Sequence, residues 1–222
     1  MRNTIVIYIV MGLVFINTVK AQSFIVSAKC GFASVSIDTS ALMTVSVENK
    51  FNKYLSVGIN GKFGSADYTS DDCILNNNLV IETRELDVSN FVYSINVCTK
   101  FSFINSNMLV VSVIPEIGFY WTESHPDIYF VDEIYSKVSH KNFDNTYSNR
   151  NLAYGFVVEG QYYLNDRLGI VADIGWNNYD IGKSINKIDL AENWNHKIDE
   201  ETSFLYFEIG FAYRLFGKNF WD

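Results

Sequence analysis

Cysteine, proline and long apolar runs are all scarce in this 222-residue chain. Three cysteines are too few, and odd in number, for a disulfide framework. Two prolines, Pro115 and Pro126, leave most of the chain able to form uninterrupted β-ladders. Beyond the N-terminal segment no run of about eighteen apolar residues occurs, which excludes an ordinary transmembrane helix.

Basic residues are outnumbered as well, 17 against 25 acidic ones. Two of the basic residues, Arg2 and Lys20, fall in the first 21 residues, so the remainder has a net charge of −10. This balance argues against nucleic acid as a partner.

The N-terminal segment has the pattern of an export signal. Arg2 precedes an apolar stretch from Ile5 to Ile16, and the small residue Ala21 follows. We expect residues 1–21 to be a signal peptide and residues 22–222 to form one domain.

After this segment the recurring pattern is alternation of apolar and polar residues, which is typical of β-strands, and we detect no strong helical period. The pattern predicts eight strands, over residues 23–36, 41–51, 54–66, 89–104, 108–122, 151–164, 167–179 and 203–216.

The predicted connections alternate in length. Tight turns around Asn52, Asn105 and Asn165 suit two-residue hairpins, because asparagine tolerates positive φ. Long polar connections fall at 67–88, 123–150 and 180–202, and a short one near Asp38 falls in the same phase. No helical crossover separates the strands, so we expect an antiparallel meander with the tight turns at one end and the long loops at the other.

Side-chain size indicates which face of the sheet lines the barrel interior and which faces outward. The apolar face carries too many rings for the interior of an eight-stranded barrel, among them Phe63, Trp121 and Trp176. The opposite face is rich in glycine, serine and alanine, which suit the concave side of a curved sheet. The rings are therefore expected to face lipid. The alternative is a soluble lipocalin-like carrier with its apolar face inside.

With these features the chain resembles the small eight-stranded outer-membrane barrels of Gram-negative bacteria, the OmpA/OmpX type. The resemblance includes the last strand, "FLYFEIGFAYRLF", which looks like the terminal signal read by the barrel-assembly machinery. It implies an all-β, transmembrane, eight-stranded antiparallel up-and-down β-barrel over residues 22–222, in outer-membrane lipid. It also implies periplasmic tight turns and three long extracellular loops.

The face predicted to line the lumen carries ten ionisable side chains, five basic and five acidic: Lys29, Glu48, Lys50, Lys62, Lys100, Glu116, Glu159, Asp173, Glu208 and Arg214. The first four strands supply four lysines against one glutamate, and the last four supply four carboxylates against one arginine. Closing the barrel brings opposite charges together, so we expect a paired network that plugs the lumen. The alternative is a wet interior in which each charge is separately solvated.

No spaced catalytic or metal-binding motif occurs. His125, His140 and His196 all fall in predicted loops, and His125 beside Ser124 and Glu123 is the best catalytic candidate. The acidic loops lack the ordered spacing of a calcium site, and Cys30, Cys73 and Cys98 have no evident partners.

We therefore expect no catalytic residues, metal or cofactor. The leading hypothesis is an integral outer-membrane protein with a structural or surface-interaction role and an unidentified extracellular ligand. A rim enzyme acting on lipid A or peptides and the lipocalin-like carrier remain as alternatives.

Overall fold

The computed structural model describes residues 23–35, 39–76, 79–106, 108–132, 137–142, 146–188 and 203–217. The strands are β1 (Ser23–Ser34), β2 (Thr39–Lys50), β3 (Leu55–Asn76), β4 (Leu79–Asn105), β5 (Leu109–Asp132), β6 (Lys137–Asn142), β7 (Tyr147–Tyr163), β8 (Leu168–Asn177) and β9 (Phe204–Gly217). One short helix, α1 (Gly182–Ile185), follows β8. Among the described residues, no helix is long and apolar enough to cross a membrane.

Eight of these strands form a closed antiparallel barrel. The order β4-β3-β2-β1-β9-β8-β7-β5 closes on itself because β4 also pairs with β5. The first and last strands are neighbours, with Ser27 opposite Ala212. The predicted all-β, eight-stranded barrel is confirmed, and closure leaves no open edge within the ring.

The two faces of the barrel wall differ as predicted. Large apolar side chains point outward, and the most exposed rings among the described residues are Phe119 (69% exposed), Phe32 (68%), Phe103 (60%) and Phe211 (60%). Serine, glycine and charged side chains point inward. The lipocalin-like alternative is not favoured, because it needs the rings inside.

Side chains fix the tight turns at one end of the barrel. Asn52 Oδ1 accepts hydrogen bonds from the backbone N–H groups of Tyr54 (2.8 Å) and Leu55 (2.9 Å). Asn165 Oδ1 accepts equivalent bonds from Arg167 and Leu168, both at 2.9 Å. In the third turn Ser106 Oγ takes this role, accepting from the Leu109 N–H at 3.1 Å. These local bonds stabilise the reversal of the chain.

The opposite end of the barrel corrects the predicted loops. Residues 67–88 are not a polar loop, because β3 and β4 stay paired from Ala66↔Asn90 to Asn76↔Leu79. In the predicted loop 123–150, β5 runs on to Asp132 and pairs with the additional strand β6. We call the parts of β3, β4 and β5 that continue past the level of Ser65, together with β6, the strand extension. It adds about 35 Å of strand beyond the point where β2 leaves β3.

The first part of the predicted loop 180–202 is a short helix packed against the barrel. Asn178 holds the chain against β7, since its N–H donates to the Tyr154 carbonyl (3.1 Å) and its Oδ1 accepts from the Tyr154 N–H (2.7 Å). The chain then turns into the mouth and forms α1. We call residues 178–188 the cap; residues 189–202 of the predicted loop lie outside the described residues.

Candidate functional site: the charged interior

The interior of the barrel contains all ten ionisable side chains that the sequence predicted for the lumen. Each belongs to an inward-facing position of its strand, and each residue is 8% exposed or less. Alternation in the strands accounts for this burial, because a charged side chain on the other face would meet lipid. Burial of so many charges requires partners.

An upper cluster is centred on Lys62. Its Nζ donates hydrogen bonds to Glu116 Oε2 (2.6 Å), Asn177 Oδ1 (2.9 Å) and the Tyr206 hydroxyl (2.5 Å). Asn60 Nδ2 donates to the other oxygen of Glu116 at 2.6 Å. The ammonium group and the carboxylate are both enclosed, so their charges are balanced within the protein rather than by water.

A central cluster lies below it. Lys29 Nζ pairs with Asp173 and lies 3.5 Å from Glu159 Oε2. Lys100 Nζ pairs with Glu159 and lies 3.4 Å from Glu48 Oε2. Lysines of β1 and β4 thus meet carboxylates of β7 and β8 across the interior. Glu48 is the exception, since it belongs to β2.

Three carboxylates occupy one row of neighbouring strands in this central cluster. Glu159 is opposite Asp173 in the register, and Asp173 is opposite Glu208. Like charges directly opposite each other destabilise a sheet. Lys29 offsets the repulsion on the Asp173 side, and Thr44 Oγ1 donates to Glu208 Oε2 at 2.9 Å.

The two remaining cations, Lys50 and Arg214, lie toward the tight turns. Both are buried, and the Arg214 guanidinium lies 5.4 Å from the centroid of the Tyr163 ring, within range of a cation–π interaction. A carboxylate lies at this level too, since Glu48 of β2 and Arg214 of β9 are both opposite Ile25 of β1.

The cap closes the interior at the other end with apolar side chains. Tyr179 and Ile181 are fully buried in a cluster with Leu42, Tyr120 and Phe204. The Tyr179 ring centroid is 5.4 Å from that of Tyr120 and 5.5 Å from that of Phe204. Burial raises the pKa of the Tyr179 phenol further above its usual value.

Hydrogen bonds attach the cap to the barrel wall. The Tyr179 hydroxyl is 2.7 Å from Ser94 Oγ in β4. Ser124 Oγ in β5 donates to Ser184 Oγ (2.8 Å) and to Asn90 Oδ1 (2.6 Å) as alternatives for its single proton. The cap is thus fixed to two strands that continue into the strand extension.

A second apolar cluster joins α1 to the strand extension. Ile185 and Ile188 pack with Leu86 and Val88 of β4 and with Ile128 of β5. Tyr68 and Tyr147 pack against its edge. The part of the chain beyond the barrel therefore has a small hydrophobic core of its own, separate from the barrel interior.

Little space remains among the charged groups. A cavity of about 10 Å³ lies between the upper and central clusters, lined by residues that include Lys29, Lys62, Cys98 and Asp173. A cavity of this size has room for at most one water molecule.

The predicted loop histidine His125 lies in a strand. It is exposed on the outward face of β5, where its ring centroid is 5.7 Å from that of Phe91, whereas Ser124 points inward. The two side chains lie on opposite faces of β5 and do not form a nucleophile–base pair. The side chain of His140 and the whole of His196 lie outside the described residues.

Several metal-ligand residue types and the cysteines lie in the described part of the chain. Within the described ranges no group of three or more histidine, cysteine, aspartate or glutamate side chains is arranged to hold a metal ion. Cys30 is exposed and Cys98 is buried, both as free thiols. The side chain of Cys73 is not among those described.

Sequence reasoning missed the cap. Ile181, Ile185 and Ile188 have the i, i+4, i+7 spacing of one helix face, which is the signal that indicates the buried side of α1. The polar residues around this short stretch obscure the pattern. Asn60, Asn177 and Tyr206 were also missed as partners of the buried charges.

Comparison with known proteins identifies the class of this barrel. The family model described as the outer membrane protein β-barrel domain matches residues 8–214, so the chain belongs to this family and its barrel lies in the outer membrane. A comparison with curated protein sequences finds no match.

Two solved structures with similar folds agree with this assignment. Neisserial surface protein A (NspA) matches with a TM-score of 0.52 and 12% identity, over 86% of this chain and 96% of that one. A major outer membrane protein from Thermus thermophilus matches with a TM-score of 0.50 and 19% identity, over 87% of this chain and 99% of that one. At these identities the similarity shows the fold alone.

Proposed function

We propose that this protein is a closed outer-membrane barrel that anchors a surface-exposed β-structure, with a structural or surface-interaction role and no catalytic activity. The observation that carries the proposal is the contrast between its two ends. Ion pairs and the cap fill the barrel, while β3, β4 and β5 continue well beyond it. A simple pore does not need a folded β-structure beyond the barrel, so the strand extension points to a different role.

The filled interior supports a plugged lumen. Lys62–Glu116, Lys29–Asp173 and Lys100–Glu159 cross the interior, and removal of either partner leaves a buried charge at a cost of about 3–5 kcal/mol. Water-filled diffusion channels are built from about sixteen strands or more. A small barrel filled in this way is expected to conduct no ions.

The strand extension supports a role at the cell surface. It has its own apolar cluster with α1, so it can present a fixed surface rather than a flexible loop. Acidic side chains, including Asp67 and Asp87, lie on the outward side of its described residues. An unidentified extracellular ligand would meet this surface first.

The enzymatic alternative lacks support from the described residues. His125 points outward and Ser124 inward, so this predicted constellation is not assembled. The buried carboxylates face lysines rather than an open cleft.

Export and assembly complete the proposal. Residues 1–21 would direct export as a signal peptide. The alternating outward side chains of β9, including Leu205, Phe207 and Phe211, would be read by the barrel-assembly machinery.

Two measurements test the proposed function. In planar lipid bilayers we expect no stable conductance from the purified protein in potassium chloride, with a sixteen-stranded porin as the positive control. Stepwise conductance from the unaltered protein would overturn the closed lumen.

Orientation is tested in whole cells that carry a variant without native cysteines. We expect a membrane-impermeant maleimide to label Lys183→Cys in intact cells, and Asn52→Cys only after the outer membrane is permeabilised. The reverse pattern would overturn the surface role of the strand extension.

A further inference from the structure

A small cavity at the centre of the charged interior is lined by more negative than positive charge. Its volume is about 10 Å³, which is room for one water molecule or one small ion. The charged side chains on its wall are four carboxylates and two lysines: Glu48, Glu116, Glu159, Asp173, Lys29 and Lys62. Lys100 adds a third positive charge, since it pairs with Glu159 and lies 3.4 Å from Glu48 Oε2. The group therefore has a surplus of one negative charge.

Two of these carboxylates each have an oxygen atom without a hydrogen bond from any described residue. The atoms are Glu48 Oε2 and Asp173 Oδ1, and the two residues are 5% and 2% exposed. Lys29 binds the other Asp173 oxygen. Lys100 lies near Glu48 Oε2, but it does not make a hydrogen bond to this atom. A buried carboxylate oxygen without a hydrogen bond is costly, so the two atoms indicate a ligand with positive charge.

The other two carboxylates of the cavity wall are fully hydrogen-bonded. Both oxygens of Glu116 accept hydrogen bonds at 2.6 Å. Both oxygens of Glu159 accept hydrogen bonds from lysines, Oε2 at 3.5 Å. Glu208 Oε1 is also without a hydrogen bond among the described residues, but Glu208 is not on the cavity wall. The unbalanced charge of the cavity is therefore concentrated at Glu48 and Asp173.

Neutral oxygen atoms on the cavity wall complete a set of ligands for a cation. Ser46 Oγ lies 2.6 Å from Ser27 Oγ, and a hydroxyl oxygen has a second lone pair that can bind a cation. Asn60 Oδ1 accepts a hydrogen bond from Asn96 Nδ2 at 2.9 Å and has a second lone pair as well. Carboxylate and carbonyl oxygens are the ligands that hard cations prefer.

Size and charge favour sodium among the common cations. Calcium takes about six to eight oxygen ligands and brings two charges, one more than the surplus. Magnesium keeps several of its own water molecules, for which a cavity of this size has no room. Potassium is a larger ion than sodium and needs a wider cavity. A sodium ion neutralises the surplus of one negative charge and fits the volume.

We propose that Glu48, Asp173 and the Ser46 hydroxyl bind a sodium ion inside the barrel. Glu48 and Ser46 belong to β2 and Asp173 belongs to β8, so the ion connects strands that are not neighbours. Its role is structural, because it stabilises the closed barrel without passing through it. The site does not depend on which end of the barrel faces outward from the cell.

The test is urea unfolding of the purified protein in lipid vesicles, with sodium chloride replaced stepwise by choline chloride. The ionic strength stays constant, so the screening of other charges does not change. Above the Kd, each tenfold rise in sodium concentration is expected to raise the ratio of folded to unfolded protein by about tenfold, because the ion binds only the folded state. Potassium chloride and calcium chloride at matched ionic strength should raise this ratio less than sodium chloride does.

Asp173→Asn and Glu48→Gln are each expected to abolish the sodium dependence, because each removes a charged ligand at nearly constant side-chain volume. The two variants lie on different strands, so one remains informative if the other does not fold. The matched control is Asp180→Asn, since Asp180 is also a buried carboxylate but lies in the cap, where it pairs with Lys183 at 2.9 Å. This control should keep the sodium dependence of the unaltered protein.

Three outcomes would overturn the site. The first is an equal urea midpoint of the unaltered protein in sodium and in choline. The second is a sodium dependence that persists in Asp173→Asn and Glu48→Gln, and the third is stabilisation by potassium or calcium as strong as that by sodium. A midpoint that is independent of sodium but rises as the pH falls also rejects the site, because a proton then neutralises the surplus charge.

Discussion

Lys62 of β3 and Glu116 of β5 meet at 2.6 Å inside the barrel, although strand β4 lies between their strands. The two strands are not hydrogen-bonded to each other. The contact therefore depends on the curvature of the closed sheet, which brings the inward side chains of β3 and β5 together. The two side chains are also bound to Asn60, Asn177 and Tyr206, which makes the pair part of a network.

Removal of one partner of this pair should strongly destabilise the barrel. We expect Lys62→Met to lower the free energy of unfolding by about 3–5 kcal/mol, because the Glu116 carboxylate is left buried without its cation. Urea unfolding in lipid vesicles measures the change. Lys62→Met combined with Glu116→Leu should lose less than the single variant, and an equal or larger loss would contradict this account.

Gly175 should not tolerate a side chain. A Cβ at this position would overlap the Tyr206 ring, whose hydroxyl accepts a hydrogen bond from Lys62. We expect Gly175→Ala to lower the free energy of unfolding by about 1–3 kcal/mol through overpacking. Gly160→Ala is the matched control, since its nearest neighbour would be the Ala172 carbonyl oxygen at 3.9 Å. Equal urea midpoints for the two variants would refute the close packing around Tyr206.

The cap should loosen without loss of the barrel when its core is truncated. Ile185 is fully buried between α1 and the strand extension, so Ile185→Ala is expected to cost about 2 kcal/mol or more locally. Hydrogen exchange should then be about thirtyfold faster in residues 181–188, whereas β8 and β9 should exchange as before. Lys183→Ala, on the exposed side of α1, serves as the control. Faster exchange throughout the barrel would show that the cap and the barrel are one cooperative unit.

The outward face should reject charge only at membrane depth. Ile117 is 58% exposed on the outward face of β5, and Ile117→Arg is expected to lower the free energy of unfolding in lipid vesicles by about 2–4 kcal/mol. Ser89→Arg, which is exposed on the same sheet but lies in the strand extension, should change stability by about 0.5 kcal/mol or less. A large loss in Ser89→Arg would mean that lipid reaches the strand extension.

The sequence was sufficient for the barrel because the membrane imposes a simple rule on each strand. Within lipid, outward side chains must be apolar while most inward ones are small or polar, so period-two alternation is strong. That rule indicated eight strands, the position of the rings and the inward placement of the charged residues. It did not identify which charges meet, since contacts such as Lys62–Glu116 depend on how the strands are staggered on closure.

The strand extension was not predicted for a related reason. Outside the membrane the outward face no longer needs to be apolar, so Asp67 and Asp87 stand where rings stand lower in the same strands. The inward Leu86 and Val88 still pack, but two or three apolar residues among polar ones resemble a loop. The cap was missed because α1 has only four residues, Gly182–Ile185, too few for a helical period to be detected.

Because β1 pairs with β9, the barrel closes only when the first and the last strand are both present. Until β9 has paired with β1, the edges of the sheet have two long rows of backbone N–H and C=O groups without partners, and a bilayer offers them none. A product truncated before Phe204 is therefore expected to remain outside the membrane as an aggregation-prone sheet rather than insert as a smaller barrel.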